Sequence, residues 1–219
     1  MNKTPLAIVL MATLSACGGG GSTDSGSPDP VVPSTAVTMT GKAIDGYIQA
    51  ASVYLDLNFN RQWDEGEPQT TTNEAGDYRL ELAKDLQTCA QYAPLVVDIP
   101  VGAVDLELGP VTEAYQMVLP PTFAPITQDE AYHVTPLTTV LWSSVESELA
   151  ADSQTTCQSV MANQQKREQL ITAMKQAVSR VVAHYNLSEQ QMYADFVASG
   201  DSETGTLAQE IVRGLQQSF

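Results

Sequence analysis

The chain has 219 residues, 43% of them hydrophobic, and a formal net charge of −16. That length and apolar content suffice for a buried core in one or two domains. Ten Lys and Arg against 26 Asp and Glu argue against a nucleic-acid surface, which needs clustered cations. The acidity reads either as a solvated surface or as carboxylates that converge on cations.

The first residues, "MNKTPLAIVLMATLSAC", place Lys3 before an apolar run and then small residues. This is a secretory signal sequence over residues 1–16, too short for a permanent membrane-spanning helix. Its end, Leu14-Ser15-Ala16-Cys17, resembles the lipobox of bacterial lipoproteins. The resemblance implies cleavage before Cys17, diacylation of its sulfur and membrane attachment, since several acyl chains anchor firmly where one is marginal. Gly18, standing where enteric lipoproteins retained at the inner membrane carry Asp, implies an outer-membrane address in the cell envelope. Residues 17–37 then form a flexible Gly/Ser/Pro tether. With Cys17 lipidated, two of the three cysteines remain. In an oxidising compartment the simplest reading is a Cys89–Cys157 disulfide, with two free thiols as the alternative.

From Thr38 to Leu82 the pattern is β. Apolar and polar residues alternate, Asp45-Gly46 reads as a turn pair, and Val53, Leu55 and Leu57 share one face. Tyr78, Leu80 and Leu82 do the same in the strand that closes this stretch. Short segments "PLVVDIP", "VDLEL" and "YQMVLP" continue in kind, punctuated by prolines. Residues 38–130 read as a β-sandwich.

The period then changes. Thr135 is a candidate N-cap with Pro136 at the first helical position. Leu170, Met174, Val178, Val181 and Tyr185 make the apolar stripe of a long helix. Ser188 with Gln191 forms a capping box for a helix through about Val197, and Thr206 starts a last one. Residues 133–219 read as a helical subdomain, making the fold α+β. A bond between Cys89 and Cys157 would join the two parts into one unit.

The densest chemistry lies in "DLNFNRQWDEGE", residues 56–67. Asp56, Asn58, Asn60, Asp64 and Glu67 stand at positions 1, 3, 5, 9 and 12 of a twelve-residue window. Gln62, at position 7, would give a backbone carbonyl. Ca²⁺ takes six to eight oxygens, and a loop supplies them best from alternate residues and a late bidentate Glu. The spacing matches the helix-flanked calcium loop except that Arg61 replaces its Gly, which argues against the same sharp turn, and the flanks here are strands. An acidic solvent loop held by Asx turns is the competing reading. Phe59 and Trp63, within the loop, are expected to be buried against the sandwich.

The stretch over roughly residues 40–82 resembles the B-like repeats of bacterial surface proteins of the SdrD and Cna B type. It is also similar to carboxypeptidase-regulatory and transthyretin-like β-sandwiches. The carrying residues are Val53, Leu55-Asp56, Asn58, Asn60, Asp64, Gly66-Glu67-Pro68, Thr71-Thr72-Asn73, Gly76 and Tyr78. The resemblance implies a structural calcium ion held by Asp56, Asn58, Asn60, Asp64 and Glu67. A looser one joins "HVTPLTTVL" to a segment of bacterial exported lipoproteins that opens a helical part.

Catalytic motifs are absent from the sequence: no HExxH, no GxSxG and no phosphate loop. His133 and His184 read as packed or surface residues, and Asp45 as a turn former, with a carboxylate at a site as its alternative. The sequence therefore leads to a non-enzymatic, lipid-anchored envelope module for adhesion, scaffolding or binding, with an envelope protein or glycan as partner. The alternative is a surface or periplasmic accessory protein that binds a carbohydrate or peptide ligand.

Overall fold

Strands form where apolar residues alternate or run between prolines, and helices where a capping residue precedes a 3.6-residue stripe. The computed structural model describes residues 36–149 and 155–218. The expected signal sequence, Cys17 and the expected tether up to residue 35 lie outside the described residues. In chain order the elements are β1 (Val37–Lys42), β2 (Ile48–Gln49), β3 (Ser52–Leu55), β4 (Gln69–Thr71), β5 (Asp77–Leu82) and α1 (Gln87–Ala90). Then come β6 (Leu95–Ile99), β7 (Val104–Asp105), β8 (Gly109–Pro110) and β9 (Tyr115–Leu119). The helices α2 (Pro136–Leu149), α3 (Cys157–Ala162), α4 (Gln164–Tyr185), α5 (Glu189–Tyr193), α6 (Phe196–Ser199) and α7 (Ser202–Ser218) complete it. The fold is α+β, with antiparallel sheets ordered β1-β5, β2-β7-β8 and β4-β3-β6-β9.

The four-stranded sheet is buried on both faces. Its register sets Val53 against Val97 and Val97 against Met117. On one face these residues join Leu55, Leu95, Ile99 and Tyr115, together with Met39 of β1 and Tyr78, Leu80 and Leu82 of β5. On the other face Tyr54, Val96 and Val118 pack with Leu137, Leu141, Trp142 and Val145 of α2 and Leu170, Met174 and Val181 of α4. The helices therefore cover the sheet. Burying one such large apolar side chain contributes about 1.5–3 kcal/mol, so this shared wall ties helices to strands. The described residues form one compact unit.

The "TPLTT" segment has a structural reason. Residues 131–134 run parallel to β1, with Tyr132 N–H donating to Thr40 O at 2.8 Å and Val134 N–H to Lys42 O at 2.9 Å. Thr135 then caps α2: Thr138 N–H donates to its hydroxyl at 3.1 Å, and its own N–H donates to the Thr138 hydroxyl at 3.0 Å. Thr139 Oγ1 accepts from Val118 N–H at 2.9 Å. That bond satisfies an amide on β9, one of the two edge strands of the sheet, where unpaired groups invite misassociation.

Asn186 closes α4 in the left-handed conformation, as C-cap Asn can. Two other helix boundaries differ from expectation. The helix begun by the Ser188–Gln191 box stops at Tyr193, and Asp195 caps a separate turn, α6. α7 begins at Ser202, ahead of Thr206, because Asp201 accepts from Thr204 N–H at 3.1 Å and so caps it. Cys89 and Cys157 form a disulfide with Cα atoms 5.4 Å apart. It joins α1 to the first residue of α3.

Candidate metal centre

β3 delivers Asp56 into the interior, where it is fully buried. Its carboxylate folds the loop that follows: Oδ1 accepts from Asn60 N–H at 3.1 Å and Oδ2 from Arg61 N–H at 2.9 Å. Asx turns continue the path, with Asn58 Oδ1 accepting from Asn60 N–H at 3.2 Å and Asn60 Oδ1 from Gln62 N–H at 2.7 Å. Glu67, also buried, closes the loop: Oε1 accepts from Leu57 N–H at 2.7 Å and Oε2 from Asp64 N–H at 3.0 Å. At the outer surface the side-chain amides of Asn58 and Asn60 donate to Asp64 Oδ2 at 2.7 and 2.8 Å.

Asp56, Asn58, Asn60, Asp64 and Glu67 are thus gathered in one loop. Gln62 is exposed and contributes an N–H to the turn. Burial pushes Asp56 and Glu67 above the ordinary carboxylate value, and the backbone N–H groups oppose that rise. The donor set is all oxygen, as a hard cation requires. An ionised carboxylate offers about four lone-pair positions, so Asp56 and Glu67 keep acceptor capacity beyond their two backbone bonds. Among the described residues, however, no group of three or more His, Cys, Asp and Glu side chains is placed to hold a metal ion. The set therefore depends on the two Asn amides beside Asp64, and the residues fit a cation only in that mixed form.

Arg61 does not soften the turn, contrary to the expectation from its missing glycine. It adopts φ 57°, and Phe59 adopts φ 62°, a left-handed backbone usually left to Gly. Tertiary contacts hold it there. Arg61 O accepts from the Tyr54 hydroxyl at 2.8 Å and from Gln116 Nε2 at 3.0 Å. Its guanidinium reaches away from the loop to Glu146 of α2, Nε to Oε1 at 2.6 Å. Phe59 is buried and stacks on Trp142 with ring centroids 6.0 Å apart. Trp63 departs from the expected burial. It is 47% exposed, and its indole N–H donates to Glu67 O at 3.1 Å, which turns the ring outward over the loop. The disulfide also meets this region, since Cys157 N–H donates to Leu57 O at 2.8 Å.

Of a second acidic group only Asp45 was legible, as the alternative to its turn reading. Asp45 and Asp105 are 3% and 4% exposed. The Tyr115 hydroxyl donates to Asp45 Oδ2 at 2.9 Å, and Asp105 Oδ1 accepts from Glu107 N–H and Leu108 N–H at 2.7 and 3.1 Å. Gly46 is small for a reason other than the turn: a Cβ there would collide with the Asp105 carboxylate. The positive φ of this turn lies at Tyr47 instead. These residues are about 60 positions apart, so no local motif marks them.

No family model, curated protein or solved structure matches this chain. Among the described residues no helix is long and apolar enough to cross a membrane.

Proposed function

We propose that this chain is a non-enzymatic binding module of the bacterial cell envelope, anchored at Cys17 and presented at the outer membrane on the 17–37 tether. In this reading β1-β5 and the four-stranded sheet are the two layers of a B-like, transthyretin-like sandwich, and the 56–67 loop is its structural calcium site. The observation that carries the calcium reading is the convergence of Asn58, Asn60 and Asp64 above a loop already closed by Asp56 and Glu67. Calcium bound there would offset the carboxylate charge and fix the loop between β3 and β4, adding stability by linkage. An envelope protein or glycan is the proposed partner.

A second reading, a carbohydrate or peptide ligand, is favoured by Trp63, whose exposed ring lies on this loop. Flat apolar rings supply contact area to such ligands at small entropic cost. Thermal melts of the full chain in EDTA and in excess CaCl₂ test the calcium reading. A higher midpoint with calcium, unmatched by MgCl₂, supports it; coincident midpoints remove the metal. Trp63 fluorescence titrated with envelope glycans and peptides tests the second.

A further inference from the structure

The geometry points to a cation-binding cavity, separate from the 56–67 loop, that takes the ammonium group of a small organic amine between Asp45 and Asp105. The cavity lies between the β2-β7-β8 sheet and α7 and has a volume of about 460 Å³. Asp45, Asp105 and Tyr115 stand at its buried end, Thr112, Gln209 and Gln216 complete its polar lining, Leu108 and Val111 are apolar, and Arg213 of α7 stands at its side.

The decisive atom is Asp45 Oδ1. It is buried, and among the described residues it has no hydrogen-bond partner. Buried polar oxygens are nearly always satisfied, and an exception asks for an explanation. The Tyr115 hydroxyl is spent on Oδ2 of the same carboxylate. Asp105 uses Oδ1 on two backbone amides, and among the described residues no Lys or Arg forms an ion pair with it. The guanidinium of Arg213 approaches Glu210 at 3.9 Å and is largely exposed.

An ammonium group answers both deficits. It brings three N–H donors and one positive charge, and the neighbouring Asp105 charge otherwise raises the cost of ionising Asp45. A bare metal ion answers them less well, because the space is many times the size of an ion and part of its wall is apolar. A ligand with an ammonium head and a short apolar body fills it, within the usual range of small-ligand cavities. Burial and the neighbouring charges of Asp105 and Glu107 push Asp45 up to about 7, so occupancy by a cation also strengthens as Asp45 ionises.

The ammonium belongs either to a free amine or to a lysine side chain, and the probes separate the two. The full chain is titrated calorimetrically with 1,5-diaminopentane, with Nα-acetyl-lysine amide, with 1,5-pentanediol and with CaCl₂, at about pH 8 and pH 5.5. The expected result is saturable binding of at least one amine at pH 8, weakened about tenfold or more at pH 5.5 and in Asp45→Asn. Tighter binding of the diamine assigns a free amine; tighter binding of the lysine amide assigns a side chain. Asp45→Asn removes a buried charge and keeps its fold, which its melting transition verifies. Methyl NMR of Leu108 and Val111 places the ligand. The proposal is overturned by no binding of either amine, by equal binding to Asp45→Asn, by a diol that matches the diamine, by calcium taking the place of the amine, or by unmoved Leu108 and Val111 methyls.

Discussion

Arg61 Nε donates to Glu146 Oε1 at 2.6 Å, so one ion pair joins the 56–67 loop directly to α2, beside the Phe59–Trp142 ring contact. The pair acts on a residue whose backbone is left-handed, a conformation that costs a non-glycine residue about 1 kcal/mol. Substitutions separate the two effects. Arg61→Ala keeps the backbone cost and loses the partner of the half-buried Glu146, so unfolding free energy falls by about 1–2 kcal/mol. Arg61→Gly loses the same pair but relieves the backbone, so it recovers about 1 kcal/mol of that. Urea unfolding of the three proteins checks this. Equal losses for Ala and Gly would show that the turn carries no backbone cost.

Calcium dependence should reside in Asp64 and Asn60, whose side chains meet at 2.8 Å at the loop surface. Asp64→Ala removes a carboxylate that is exposed, so the metal-free protein changes by no more than about 0.5 kcal/mol beyond the lost amide bonds. The calcium-induced rise in melting temperature should disappear. For a site at a hundredfold excess of ligand over its dissociation constant, that rise corresponds to about 2.7 kcal/mol. Asp56→Asn behaves differently, because Asp56 also holds the amides of Asn60 and Arg61. It destabilises the protein with and without calcium. Differential scanning calorimetry in EDTA and in CaCl₂ distinguishes the two patterns.

Local features were readable in advance where one short stretch determines them. The alternation around Val53 and Leu55 marks β3, and the Thr135-Pro136 and Ser188–Gln191 signals mark helix starts, because capping depends on residues three apart. The Asx turns of Asn58 and Asn60 follow from their own side chains. What depends on distant residues was not readable. The left-handed Arg61 is held by Tyr54, Gln116 and Glu146, and its missing glycine suggested the opposite. Trp63 is turned outward by its bond to Glu67 O. The two-sided burial of the sheet left one usable trace: Val96-Val97 and Met117-Val118 are apolar at both parities, as strands buried on both faces are. The Asp45–Tyr115–Asp105 group left none, since its members come from a turn and two separate strands.

The Cys89–Cys157 disulfide closes a separation of 68 residues, and its effect follows from the loop it removes from the unfolded ensemble. Reduction, or replacement of both cysteines by Ser, should cost about 3–4 kcal/mol in the chain-entropy account. Because Cys157 N–H also bonds Leu57 O, hydrogen exchange should rise at Cys157 and across the 56–67 loop before it rises in β6 or β9. Thiol titration of the unfolded, unreduced protein should find neither Cys89 nor Cys157 free. Two titratable thiols at these positions would refute the bond.

Asp45 gives the fold a definite pH dependence. Burial first, then Asp105 and Glu107, raise it from 3.8 to about 7, against the Tyr115 hydrogen bond. The folded-state value lies above the unfolded one, so the folded chain holds this proton more tightly between about pH 4 and pH 7. Stability therefore falls as pH rises through that window and levels off above it, the reverse of a salt-bridged carboxylate. A shift of this size corresponds to about 2–4 kcal/mol at pH 8. Asp45→Asn should remove most of that slope and unfold at higher urea than the parent protein at pH 8, while the two converge near pH 4. Gly46→Ala tests the neighbouring contact: its Cβ forces the Asp105 carboxylate to move, so it should destabilise at every pH and leave the slope in place. Urea midpoints at half-unit steps from pH 4 to pH 8 measure both. A parent protein whose stability rises with pH across 5–7 while Asp45→Asn follows it in parallel would show that Asp45 titrates elsewhere.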